Sequence, residues 1–331
     1  MIPAEQSHLR SSAHSHPGQG GKPNQDRYWV SAYTVGLERP MNSVLAILAD
    51  GIGGRKAGDV AAQLALDTVK RAVESSHASQ PTGILQAAFV QAGQAVLSES
   101  ESKSKLQGMG STCLVAWVLD DKLYSANVGN SRMYLLRQGS LQALNVPHEF
   151  IREEDGEAGR KARKVSELGQ LRAFLGSHLP IEPDFRMPVR AGQLSPRTAN
   201  NQGFRLRPND RLLLCSDGLS DVLSEEDILN LLGGSEVEDA AKDLIEAVLE
   251  KGGQDNVSAI VLGVPPAHPT SAQQRRRQAR RWLVTLISIV LLVVISLYAW
   301  ESLVPVIEPV VEPAGTALPT HTPLPTNTPE G

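Results

Sequence analysis

Residues 44–62, VLAILADGIGGRKAGDVAA, pass from an unbroken apolar run through a glycine-rich turn into a helical repeat. The apolar run predicts a strand buried on both faces. From Asp59 onward, Ala61, Leu64, Ala65, Thr68, Val69, Ala72 and Val73 recur at helical spacing and predict an amphipathic helix. A second such helix is predicted over 82–97, with Leu85, Ala88, Phe89, Ala92 and Val96 facing inward. Arg27 to Tyr33 reads as a strand. Residues 111–137 read as strands turning at Asp120-Asp121, followed by a hairpin about Gln138-Gly139. RLLLCSDGL repeats the opening pattern, a buried strand ending in Asp217-Gly218. Ser224 and Asp227 form a capping-box pair ahead of a short helix over 228–232. A further helix carries Val237, Ala240, Ala241, Leu244, Ile245 and Val248, and the last strand follows Asp255. Residues 1–11 and the polar stretches 145–170 and 190–207 lack a period; the first is expected to be disordered and the others to be surface loops. Strands outnumber helices and several are joined by hairpins. That pattern predicts packed, largely antiparallel sheets covered by helices, an α+β architecture.

The core-like pattern ends at Val264. A basic linker, 265–281, closes in RRRQARR, and residues 282–300 carry no charge. That length suits a single transmembrane helix, with Trp282, Tyr298 and Trp300 at interfacial depth. The arginines place residues 1–281 on the cytoplasmic side of a cell membrane, in contact with lipid through the anchor. The Pro/Thr-rich residues 301–331 are then expected to be a disordered tail outside.

Composition sharpens this picture only a little. A net charge of −4 disfavours a nucleic-acid binder, and Cys113 and Cys215, both in apolar runs, suggest buried thiols rather than a disulfide framework. MIPAEQSHLRSS has no apolar stretch, so no cleavable signal peptide is expected.

Candidate chemistry lies in the acidic residues. Asp26, Asp50, Asp217 and Asp255 all stand at strand–loop junctions. Oxygen-only ligands of this kind suit Mg²⁺ or Mn²⁺, while the dense alternating aspartates of a Ca²⁺ loop are missing. Spacing alone does not bring the four together.

The surrounding words go further. ADGIGG…AGDVAA, MGSTCLVA, ANVGNSRMYLL, LLLCSDGLSDVL and GGQDNVSAIV occur in this order. Together they resemble the metal-dependent Ser/Thr protein phosphatases of the type 2C or PPM family, bacterial type, over residues 12–264. The resemblance implies a sandwich of two antiparallel β-sheets flanked by α-helices, with a centre of two Mn²⁺ or Mg²⁺ ions and a weak third. It implies that Asp50 bridges both ions, that the Gly51 carbonyl binds the second, and that Asp217 and Asp255 complete the first. Asp26, preceded by Gln25, falls in the N-terminal acidic motif, and Asp221 would help hold the third ion. Its implied reaction is hydrolysis of phosphoserine and phosphothreonine in proteins by a metal-activated water. Partners would be phosphorylated proteins, among them a Ser/Thr kinase and its substrates. Three departures stand out: Gln25 in place of Glu, Asn130 in place of the Asp of G-D-S-R, and Lys22, with Arg55, in place of a phosphate-binding Arg. Ile52 follows the Asp-Gly where some members carry His, and His148 reads as a hydrogen-bonding anchor. A catalytically weak relative that binds phosphoproteins or acts as a regulatory scaffold is the competing expectation.

Overall fold

The computed structural model describes residues 1–52, 57–148, 173–188, 201–267, 285–292 and 296. Met1–Ala267 is one compact unit. Its thirteen described strands, in chain order, are β1 (Ile2–Pro3), β2 (Arg10–His16), β3 (Arg27–Val35), β4 (Met41–Ala49), β5 (Gly51–Ile52), β6 (Gly110–Ser111), β7 (Cys113–Leu119), β8 (Lys122–Val128), β9 (Arg132–Arg137), β10 (Ser140–Ala143), β11 (Phe204–Arg205), β12 (Arg211–Cys215) and β13 (Val257–Gly263). The α-helices are α1 (Gly58–Glu74), α2 (Pro81–Ser102), α3 (Asp217–Ser220), α4 (Glu225–Gly234) and α5 (Val237–Glu250). The two large sheets run β1-β3-β4-β7-β8-β11 and β10-β9-β12-β13-β2, antiparallel throughout, as the resemblance implies, and β5 and β6 form a small antiparallel pair of their own.

The continuous apolar strands follow from layering. A strand alternates its side chains between two faces. In β4, Leu45, Ile47 and Ala49 face the layer of α1 and α2, whereas Val44, Ala46 and Leu48 face the other sheet. β7 divides in the same way, with Cys113, Val115 and Trp117 on the helix side and Leu114, Ala116 and Val118 between the sheets. In the second sheet, Leu212 and Leu214 point inward while Leu213 and Cys215 meet α4 and α5. Both faces of all three strands are covered, so none of them needs a polar side.

Several expectations are met closely. The hairpin turns at Gln138 and Gly139, both with positive φ, and the Ser224–Asp227 capping box forms in both directions. Other boundaries shift. Helix α2 extends through the polar SESES to Ser102, and α1 buries Ala62 and Leu66 in preference to Leu64 and Ala72. The N-terminus requires a correction, because residues 1–11 are not disordered. β1 pairs with β3, Leu9 is buried, and β2 pairs along its length with β13. Few apolar residues are needed there, because β2 is an edge strand whose backbone is satisfied by a partner some 240 residues away.

Among the described residues no helix is long and apolar enough to cross a membrane. Residues 285–292 and 296 are helical and exposed, and the rest of the expected span 282–300 lies outside the described residues, as does the tail 301–331. The predicted loop 145–170 is described only through residue 148, and that over 190–207 only from residue 201, where Phe204–Arg205 pairs with β8.

Candidate metal centre

Strand register converts dispersed aspartates into neighbours. β3 and β4 are antiparallel with Arg27 opposite Ala49, so Asp26, just before β3, stands across from Asp50, just after β4. In the second sheet Cys215 pairs with both Ala259 and Arg132. That brings Ser216-Asp217, Asp255-Asn256 and Asn130 to one end of that sheet.

The backbone at this end is held tightly. The Asp50 amide donates to Thr112 Oγ1 at 3.0 Å, and its carbonyl accepts from the Thr112 amide at 2.8 Å and from Ser111 Oγ at 3.1 Å. With its main chain so engaged, Asp50 has only its side chain to offer the site. A Cβ on Gly51 would lie 2.2 Å from the Gly58 carbonyl oxygen, and one on Gly218 would lie 2.0 Å from that of Asn256. Only glycine permits either approach. Gln25 belongs to the same knot: its amide donates to Asn256 Oδ1, and its side chain lies against Gly58.

The side chains are electrostatically coupled. Asp26 is 3% exposed, and burial together with the charge of Asp255 lifts it to about 6. Asp217 is raised to about 7 by burial, then by Asp221, Asp255 and Asp26, against a hydrogen bond from Asn130. Asp50 is raised well above its ordinary value by burial and by the charges of Asp26, Asp217 and Asp255, and its carboxylate stands beside that of Asp26. Asp255 itself is exposed, its Oδ1 taking the Asn256 amide at 2.9 Å. Among the described residues, the charges acting most strongly on these three come from other carboxylates. Asp26 Oδ1 is buried without a hydrogen-bond partner. Carboxylates that raise one another, with an oxygen left over and a backbone carbonyl beside them, are a donor set suited to hard divalent cations. Among the described residues no three His, Cys, Asp or Glu side chains are already closed into a cation cage; the aspartates are coupled without converging on one point.

Other expected site residues are placed less centrally. Lys22 sits on the exposed loop between β2 and β3, and Arg55 lies outside the described residues. Asp221 caps α3, its amide donating to the Asp217 carbonyl at 2.8 Å. His148 is an anchor: its Nδ1 accepts from the Gly129 amide at 3.4 Å, and its Nε2 stands 3.6 Å from Asp184 Oδ2. Asp184 is held below the ordinary carboxylate range, since bonds from His148 and Arg186 outweigh its burial.

Asn130 changes meaning in this setting. Its Nδ2 donates to Asp217 Oδ2 at 2.8 Å, and its Oδ1 is buried and unpartnered. An aspartate here would replace that donor with a like charge. Asn130→Asp should therefore destabilise the chelator-treated protein at pH 7.5 by about 1–3 kcal/mol, read as a lower melting temperature. An unchanged melting temperature would mean that the Asn130–Asp217 contact is energetically neutral.

The sequence reading missed Thr112, Ser216, Asn256 and Ser258. Their signal was available: each is a polar residue, buried, in or beside an apolar strand, where a hydrogen-bonding duty is the rule.

Residues 14–260 match the Protein phosphatase 2C family. The chain belongs to that family. It is 32% identical over 260 residues to the serine/threonine protein phosphatase PstP of Mycobacterium tuberculosis, an alignment spanning 77% of this chain and 45% of that protein. The chain thus spans about half the length of that relative. It is 29% identical over 235 residues to the serine/threonine phosphatase stp of Listeria monocytogenes, covering 68% of this chain and 86% of the relative. The crystal structure of the PstP catalytic domain in complex with two manganese ions superposes with a TM-score of 0.59 at 30% identity, covering 77% of this chain and 97% of that one. Membership in the 2C family accounts for the two-sheet sandwich and for the order of the acidic motifs.

Proposed function

We propose that this 2C-family chain is a metal-dependent phosphatase of phosphoserine and phosphothreonine in proteins. The observation that carries the reading is the acidic end of the sandwich, where strand register sets Asp26 across from Asp50 and places Asp217 and Asp255 at the matching end of the second sheet, around a buried Asp26 oxygen without a hydrogen-bond partner. Two manganese ions in the PstP catalytic domain support extending that chemistry here. In this reading Asp50 would serve both cations, the Gly51 carbonyl would serve the second, and Asp217 and Asp255 would serve the first. When bound, Mn²⁺ or Mg²⁺ would clamp the phosphoryl oxygens and acidify the attacking water. The chain's own residues fix the geometry. Thr112 and Ser111 hold the Asp50 backbone, Asn130 holds Asp217, and Lys22, with Arg55, supplies positive charge for the phosphate. Asn130 brings no charge to a third cation, so a third site through Asp221 would be weak. Burial pushes the Cys113 thiol far above its ordinary value and that of Cys215 to about 12, which suits neither to act as a thiolate nucleophile.

The test separates turnover from binding. The full chain with Mn²⁺ should release inorganic phosphate from a phosphothreonine peptide in many turnovers. Retention of the peptide without release would identify a binding relative instead.

The same reading places the chain in a cell membrane through residues 282–300, with the phosphatase domain cytoplasmic and facing phosphorylated proteins such as a Ser/Thr kinase and its substrates. The uncharged segment beside RRRQARR supports it. A reporter fused after Gly331 should register outside the cytoplasm; a cytoplasmic signal, or release of the chain from membranes by salt alone, would refute the anchor.

A further inference from the structure

Asp26 is gripped from one side only. Ser258 Oγ donates to Asp26 Oδ2 at 2.7 Å and Ser216 Oγ donates to the same oxygen at 2.9 Å, both from fully buried positions. Ser15 Oγ lies 2.7 Å from Ser258 Oγ, and Asn24 Nδ2 lies 2.7 Å from Ser15 Oγ. Asn24 Oδ1 accepts the Asp26 amide at 3.1 Å, which fixes the orientation of the Asn24 side chain.

These contacts allow one direction of donation. A carboxylate can only accept, so Ser258 spends its hydrogen on Asp26 and must accept from Ser15. Ser15 in turn accepts from the Asn24 amide. Ser216 gives its hydrogen to Asp26 and takes the Ser258 amide at 3.0 Å. Every hydroxyl hydrogen is committed, and the circuit closes on the residue where it began. Asp26 Oδ2 is occupied by two donors, while Oδ1 is buried without a hydrogen-bond partner on a carboxylate that stands beside Asp50. The serines come from β2, β13 and the residue after β12, all in the sheet opposite the one that Asp26 introduces. The circuit therefore ties the first sheet's acidic strand end to the second sheet.

We propose that Asn24, Ser15, Ser258 and Ser216 are positioning residues: a one-way hydrogen-bond relay that turns Asp26 so that only Oδ1 faces the acidic cluster, as a single-oxygen donor toward a divalent cation. This rests on the reading of the cluster as a metal centre. Merely satisfying buried hydroxyls would need no carboxylate at the end of the chain, and apolar side chains would fill a strand as buried as β13 at lower cost.

Calorimetric titration of Mn²⁺ into the chelator-stripped full chain tests the relay. Wild type should bind. Ser258→Ala should weaken binding by roughly tenfold or more, the usual effect of removing a residue that orients a metal ligand. Ser258→Thr, which keeps the hydroxyl, should restore binding to near the wild-type value. Ser43→Ala is the control, because it removes a buried hydroxyl that accepts from the Trp117 indole seven residues before Asp50. It should lower the melting temperature without moving Mn²⁺ affinity. If Ser258→Ala does not fold, Ser15→Ala leaves the Ser258–Asp26 contact in place and deletes only its donor, and should still weaken binding measurably. Wild-type affinity in a folded Ser258→Ala, or in Ser15→Ala, overturns the relay; so does an equal loss in Ser43→Ala. Failure of the wild type to bind Mn²⁺ removes the metal reading itself, and the relay with it.

Discussion

Asp50→Asn should abolish turnover while stabilising the metal-free protein. The two effects share one cause. Asp50 is the carboxylate on which burial and the charges of Asp26, Asp217 and Asp255 all act. Replacing it with a neutral amide removes the repulsion, and the new amide can donate to the unpartnered Asp26 Oδ1. In chelator at pH 7.5 the variant should gain on the order of 1–3 kcal/mol, a fraction of what a repelled charge costs at a half-buried site. Activity should fall by ~10³-fold or more, since several kcal/mol of charge stabilisation are lost at about 1.4 kcal/mol per decade. Urea titrations in EDTA and phosphopeptide assays in Mn²⁺ read the two effects separately. Activity within tenfold of wild type, or a variant less stable than wild type in EDTA, would contradict this account of the site.

The second large effect is on pH dependence. Asp26 at about 6 and Asp217 at about 7 both lie above the ordinary value of 3.8. The folded protein therefore binds more protons than the unfolded chain between about pH 4 and pH 7. A raised carboxyl contributes stability that is complete below the unfolded value and is lost as pH rises through the folded one. Moving one buried carboxyl from 3.8 to about 6 corresponds to about 3 kcal/mol at most, and the coupled groups do not simply add. Chelator-treated protein should thus lose urea resistance from pH 5 to pH 7.5, and Asp50→Asn should flatten that slope. Cations compete with the same protons, so Mn²⁺ should bind more tightly and stabilise more at pH 7.5 than at pH 5. A chelated wild type that grows more stable across this window, with the variant parallel to it, would show that these carboxyls are not the coupled set described.

Much of this was legible in the sequence for a definite reason. Apolar runs ended by Asp-Gly at residues 50–51 and 217–218 report strands and their exits directly, and the periodic positions of α5 are all buried. What spacing could not supply was convergence. Asp26 and Asp255 are 229 positions apart in number and stand in different sheets; they become neighbours where the sheets meet, with the Gln25 amide on Asn256 Oδ1 and Ser216 and Ser258 on Asp26. The strand β2, RSSAHSH, carries no apolar pattern because it sits at a sheet edge and contributes hydroxyls and backbone instead of core. For the same reason Ser15 and Ser258 pass as ordinary strand residues until their partners are known. Asn130 illustrates the limit of reading by motif: against an aspartate it is a missing charge, whereas beside Asp217 it is a donor.

The central claim is that hydrolysis runs through cations held by this acidic end. The direct measurement is phosphate release from a phosphothreonine peptide at pH 7.5 by the full chain, stripped with EDTA and then titrated with Mn²⁺. The account predicts no turnover in EDTA and a rate that rises saturably with Mn²⁺. Hydrolysis that continues undiminished in EDTA would contradict it.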